Sequence, residues 1–148
     1  MQKLNLPTID CKITESDGKT LIFDPIRKKY LVLTPEEWVR QHVIHLLVHQ
    51  LHFSKNLLKQ EGGLKYHELD KRSDILIYTT TGKPYFLIEC KAPEVPISTK
   101  TIEQVTRYNK VLSAPYFAVT NGLKTYCFEV QANGLAKQMN GFPTVPAE

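Results

Sequence analysis

Asp74, Glu89 and Lys91 are the residues of this chain whose types and spacing can do chemistry. They fall in two apolar runs, Arg72-Ser73-Asp74-Ile75-Leu76-Ile77-Tyr78 and Tyr85-Phe86-Leu87-Ile88-Glu89-Cys90-Lys91, separated by a Thr/Gly turn. Side chains alternate faces along a strand, so Glu89 and Lys91 emerge on one face while Ile88 and Cys90 point to the other. Charged groups in so apolar a strand are costly to bury alone and need each other, a metal or solvent. An acid at the mouth of one strand, beside a Glu and a Lys on the next, can hold a hard cation and position a water.

The elements that must position these residues are legible around them. Thr34-Pro35-Glu36-Glu37 reads as a helix start, with Thr34 as N-cap, Pro35 at N1 and Glu37 completing a capping box. The helix is expected to run to about Leu51, with Val39, Val43, Leu46 and Leu47 as its apolar face and Ile44 and Leu51 flanking it. Asp74 to Tyr78 and Tyr85 to Lys91 are the main strands. Pro93 and Pro96 end the extended run, Ser98 or Thr99 starts a second helix to about Leu112, and strands follow at Tyr116 to Thr120 and Leu123 to Val130. Upstream, Ile9 to Ile13, Leu21 to Phe23 and Tyr30 to Leu33 read as short strands, the first two joined at Asp17-Gly18. Leu57 to Gln60 and Leu64 to Glu68 are weaker segments, and the Gly- and Pro-bearing tail from Asn133 is expected to be poorly ordered. The pattern predicts an α/β fold, a mixed central β-sheet flanked by helices. Residues 1–33 form its N-terminal β appendage, 34–132 the core and 133–148 the tail.

The bulk numbers bound the function. A chain of 148 residues, 42% hydrophobic, fits one domain. Its net charge of +4, from 19 Lys plus Arg against 15 Asp plus Glu, suits a polyanionic partner without demanding one. The three cysteines, Cys11, Cys90 and Cys127, form no Cys-x-x-Cys pair and read as small buried thiols. No apolar run approaches the roughly 18 residues of a membrane span, and the N-terminus lacks a signal-like apolar region, so a soluble, cytoplasmic protein without membrane association is expected. His42, His45, His49 and His52 form one helical stripe, expected on the solvated side of the first helix rather than around a metal. Gly18-Lys19-Thr20 ends like a phosphate-binding loop, but Ile13 stands where its first glycine belongs.

The Asp-x14-Glu-x-Lys arrangement resembles the PD-(D/E)XK nuclease superfamily, with Ser73 in place of the usual Pro. Arg72-Ser73-Asp74-Ile75, Glu89-Cys90-Lys91-Ala92-Pro93, Gln104-Val105-Thr106-Arg107-Tyr108-Asn109 and Thr120-Asn121-Gly122 follow the order of the N-terminal nuclease domain of type I restriction enzyme R subunits. With Pro35-Glu36-Glu37-Trp38-Val39-Arg40-Gln41 upstream, the chain is similar to small stand-alone proteins of that kind from about Phe23 to Phe128. The resemblance implies a restriction-endonuclease-like core and metal-dependent cleavage of phosphodiester bonds, with DNA as substrate and a restriction or repair assembly as context. A weakly active or inactive nucleic-acid-binding accessory protein is the alternative, and a homodimer is compatible with either. Asp74 and Glu89, with the backbone carbonyl of Cys90, are then the ligands of Mg2+ or a substituting Mn2+, and Lys91 is the catalytic base or water-orienting group. The first helix adds a further carboxylate: Glu36, in line with Val39, Val43 and Leu47 and the acid of the Glu-x-x-Val-Arg pattern, is favoured over Glu37. Gln104 and Tyr108, four apart on the second helix, resemble the Gln-x-x-x-Tyr motif and are expected, with Arg72, to contact substrate.

Overall fold

The computed structural model describes residues 1–60 and 74–147. Arg72, Ser73 and the segment from Leu64 to Glu68 therefore lie outside the described residues.

Two sheets and two helices organise the chain. The first sheet is an antiparallel meander in the order β1-β2-β3, built from β1 (Ile13–Ser16), β2 (Lys19–Asp24) and β3 (Lys29–Val32). Its first turn takes Asp17 and Gly18 through φ of 52° and 75°, the left-handed pair that an Asp-Gly hairpin supplies at little cost. Helix α1 (Pro35–His45) starts where expected, with Thr34 Oγ1 accepting from the Glu37 amide at 3.0 Å. It continues through Leu46–Gln50 as a wider turn, in which the Leu51 amide donates to the Leu46 carbonyl five residues back at 3.0 Å.

The second sheet has the order β4-β5-β6-β7-β8-β9. Its strands are β4 (Leu58–Gln60), β5 (Asp74–Tyr78), β6 (Pro84–Cys90), β7 (Tyr116–Thr120), β8 (Thr125–Val130) and β9 (Ala136–Met139). All neighbours are antiparallel except β6 and β7, and helix α2 (Thr99–Leu112) makes the crossover that a parallel pair requires. Alternation along the strands divides the core. Ile75, Ile77, Phe86, Ile88, Cys90 and Ala118 pack with Val39, Val43, Ile44 and Leu47 of α1. Leu76, Leu87, Phe117 and Val119, on the opposite face, pack with Val105 and Tyr108 of α2. The architecture is a mixed α/β sheet with a helix on each face, and no helix among the described residues is long and apolar enough to cross a membrane.

Three expectations are corrected at this level. The first strand begins at Ile13 rather than Ile9. The tail is ordered: β9 pairs with β8, Phe142 sets its ring 5.1 Å from Phe86, and Tyr85 Oη donates to the Thr144 carbonyl at 2.6 Å. A sequence rich in Gly and Pro hid four residues that complete a sheet edge. The histidine stripe is not uniformly solvated either. His42 is buried under the N-terminal segment, where Trp38 Nε1 donates to the Gln2 carbonyl at 2.7 Å and Leu4 enters the core.

Candidate active site

The β5–β6 register builds the site. Asp74 and Glu89 are directly opposed Cα partners, so both carboxylates project from the sheet face that carries Leu76, Leu87 and α2. Each residue is only 4% exposed. Lys91, one residue beyond the strand on the same side, brings Nζ to 3.3 Å from Glu89 Oε2 while keeping 23% of its side chain in solvent. Two buried carboxylates thus share a face with one ammonium that remains accessible.

Backbone architecture holds the end of β6 in place. The Lys91 amide donates to the Thr120 carbonyl at 2.8 Å, extending the β6–β7 pairing past the last strand residue. Asn121 Oδ1 accepts from the amides of Leu123 and Lys124 at 3.0 and 2.9 Å, and its Nδ2 donates to the Val95 carbonyl at 2.8 Å. One amide side chain therefore fixes the β7–β8 turn and ties it to the loop that follows Lys91. Gly122 must be glycine there: its φ is +85°, and an added Cβ would lie 2.8 Å from Leu4 Cδ2.

The two adjacent helix carboxylates are placed differently from each other. Glu36 is half-buried, whereas Glu37 is buried and forms an ion pair within the protein. Its carboxylate accepts from Arg40 Nε at 3.1 Å, Arg40 Nη2 at 2.7 Å and Gln41 Nε2 at 2.8 Å. Arg40 Nη2 also donates to Asp24 Oδ2 at 3.0 Å, and Asp24 Oδ1 caps the Ile26 and Arg27 amides. The side-chain half of the predicted capping box is therefore not formed, because Glu37 turns toward Arg40. The reason is that α1 is buried on more than its apolar stripe: Glu37, Arg40, Gln41 and His42 are enclosed along with Val39, Val43 and Ile44. Among the described residues, Arg40 Nη1 and Gln41 Oε1 have no hydrogen-bond partner, so the cluster keeps one donor and one acceptor for a further group.

Both sets of charges meet around Cys90. Burial pushes its thiol well above the ordinary range; the Arg40 guanidinium opposes that rise, while Glu89, Asp74 and Glu37 add to it. The thiol is thus held neutral on the α1 face and is no nucleophile. For a cation, the chain offers hard carboxylate oxygens from Asp74 and Glu89, a donor set that fits magnesium or manganese rather than a thiophilic metal. Among the described residues no group of three or more His, Cys, Asp or Glu side chains is placed to hold a metal by itself.

The remaining predicted residues separate. On α2, Gln104 is exposed, while Tyr108 is 6% exposed and packed in the second core cluster. Its ring therefore lies against Leu76, Leu87 and Phe117 rather than open to a stacking base. Arg72 lies outside the described residues. His42, whose Nδ1–H donates to the Trp38 carbonyl at 2.8 Å, has its pKa lowered chiefly by burial, which the backbone contact partly offsets. Sequence reasoning missed Asp24, Arg40, Gln41 and Asn121. The Glu-x-x-Arg-Gln spacing at the start of α1 was the available signal for the first group, since positions three and four apart share a helix face.

The model of the family described as type I restriction enzyme R protein N terminus matches residues 35–146. That is more than half of the chain, and the chain belongs to that family. Comparison with curated proteins finds no match.

Proposed function

We propose that this member of the type I restriction enzyme R N-terminal family is a metal-dependent nuclease that hydrolyses DNA phosphodiester bonds in a restriction-modification context. The observation that carries the reading is the direct opposition of Asp74 and Glu89 with the Lys91 ammonium 3.3 Å from Glu89. Asp74 and Glu89, with the Cys90 backbone carbonyl, would hold the magnesium. When bound, the cation supplies positive charge that polarises the scissile phosphate and acidifies an attacking water. Two carboxylates and a carbonyl would fit magnesium, a hard cation that prefers oxygen donors and does not require an all-protein cage.

Lys91 stands at the solvent-facing side of this pair. Its ammonium neutralises part of the carboxylate charge, lets a polyanion approach, and orients the water or offsets charge building on the phosphate oxygens. The Thr120–Lys91 backbone bond and the Asn121 clamp on Val95 fix the main chain from which Lys91 projects. Glu37 is the buried carboxylate of the first helix, and with Arg40 and Gln41 it sets the charge behind Cys90, while the half-buried Glu36 is the helix acid proposed for a second cation or an outer-sphere water.

The test is cleavage of linear, circular and branched DNA by the purified protein with magnesium or manganese, beside Asp74→Asn and Glu89→Gln. Each variant is expected to lose on the order of 100-fold or more in rate, together with the thermal protection that manganese gives the parent chain. Near-parental cutting by either variant would sink the site assignment. A second reading, a DNA-binding accessory protein that cleaves poorly, draws on the lack of a three-side-chain metal group among the described residues. It predicts DNA binding without metal-dependent turnover in the same assay.

A further inference from the structure

The β1-β2-β3 sheet has one face turned to the protein and one turned away. Ile22 and Asp24 of β2 and Leu31 of β3 are buried on the first. The register assigns the second face row by row. Phe23 and Tyr30 are paired, with Lys12 beside them where the Phe23 amide donates to the Lys12 carbonyl at 2.9 Å. Leu21 pairs with Val32 and Thr14, and Lys19 with Ser16. Among the described residues, the strand rows of this face carry two aromatic rings, two aliphatic side chains, two lysines and no carboxylate. Tyr30 is 44% exposed and Val32 48% exposed, although each sits in a regular strand with a buried neighbour. The Phe23 and Tyr30 rings meet edge to face, 5.3 Å apart at 68°, and the Lys12 ammonium lies 5.5 Å from the Phe23 centroid.

We infer that this face is a docking platform for single-stranded DNA, with the exposed Tyr30 stacking on a base, Phe23 bracing that ring edge-on, and Lys12 and Lys19 meeting phosphates. The chemistry favours that occupant. Bases stack on exposed aromatic rings without regard to sequence, and a face with lysines but no acid is complementary to a polyanion. The two lysines sit in different rows on either side of the Leu21–Val32 row, so the cationic groups flank an apolar strip as a backbone flanks its bases. The platform is also tied to the candidate active site. Asp24, at the end of β2, is salt-bridged to Arg40, and the helix bearing Arg40 packs on the sheet that carries Glu89. DNA held here is therefore held at a fixed position relative to that site. The choice of DNA over RNA rests on the proposed function; the existence of the platform does not.

The test is binding of a fluorescent oligothymidylate of about 16 nucleotides, followed by anisotropy in the presence of EDTA so that no cleavage occurs. Tyr30→Ser and the pair Lys12→Gln with Lys19→Gln are each expected to weaken binding by about tenfold. Tyr30→Phe should retain it, and Lys137→Gln, on β9, should leave it unchanged. Thermal melting of each variant alongside separates lost contact from lost fold. Affinity unmoved by Tyr30→Ser overturns the platform, as does duplex bound as tightly as single strand. A dimer in sedimentation that Tyr30→Ser dissociates assigns the face to a second copy of the chain and equally overturns it. Tighter binding of the matching oligoribonucleotide overturns the assignment to DNA. Tyr30-dependent binding in a protein that never cleaves would leave this inference standing and remove the nuclease reading, and cleavage without Tyr30-dependent binding does the reverse.

Discussion

Glu36 and Glu37 are adjacent, chemically identical and structurally unlike. Only Glu37 is enclosed, and it accepts from both Arg40 and Gln41. Neutralising Glu37 leaves Arg40 with Asp24 as a carboxylate partner but weakens the charge-assisted bonds from Arg40 and Gln41, at a cost of about 1.5–3 kcal/mol. Glu37→Gln is thus expected to lower the urea midpoint far more than Glu36→Gln, and equal midpoints would count against the placement of α1. Lys91 calls for a different readout. Its ammonium opposes cation binding at Glu89 while serving the substrate, so Lys91→Ala should lose activity and keep or slightly tighten manganese affinity by calorimetry. Clearly weaker manganese binding would make Lys91 a structural residue. Asp74, Glu89 and Lys91 were legible in the sequence because strand alternation and the spacing between two apolar runs already place them together. The Glu37–Arg40–Asp24 cluster was not, since it depends on how β2 docks against α1, and the Arg40–Asp24 contact spans sixteen residues that no periodicity encodes.

At the scale of elements, α1 and α2 both began at the residues their capping signals mark, Thr34 and Ser98, whose side chains accept from the third amide onward. Strand β7 likewise spans the predicted Tyr116 to Thr120. What propensity could not give is the depth at which each face sits. Gln104 and Tyr108 share a face by spacing, yet one is exposed and the other fills the space between α2 and the sheet. Tyr108→Ala is therefore expected to cost about 3 kcal/mol or more through the cavity it leaves. An unchanged melting temperature in the alanine variant would return Tyr108 to the surface. Helix α1 carries a pH dependence for the same reason of depth. Burial lowers the folded pKa of His42 below its ordinary value of 6.5, so the native state favours the neutral ring. The stability this contributes is complete above pH 6.5 and is lost as pH falls through the lowered folded value. Melting temperature should drop on acidification across that window, and His42→Gln should flatten the drop.

For the whole molecule, the two chain ends close the core that the middle of the sequence begins. Leu4 packs in the α1-side cluster and against the Gly122 turn, the Asn5 amide donates to the Gly122 carbonyl at 2.7 Å, and Phe142 covers Phe86 of β6. Strand β6 carries Glu89, so packing of the tail on Tyr85 and Phe86 is packing behind the site. A tail without order would make Phe142 irrelevant to stability. With its ring 5.1 Å from Phe86, Phe142→Ala should instead cost about 2 kcal/mol of buried apolar contact, a fall in melting temperature of roughly 5 °C for a chain of this size. Amide exchange should then accelerate in β8, whose Cys127 to Val130 pair with Met139 to Ala136, because the edge strand is anchored by the same tail. Unaltered melting and unaltered exchange at Phe128 and Val130 would mean that β9 and the tail contribute nothing to the fold. The loss should reach the site only in part: Asp74 and Glu89 are held by β5, β6 and β7, which pair with one another independently of β9.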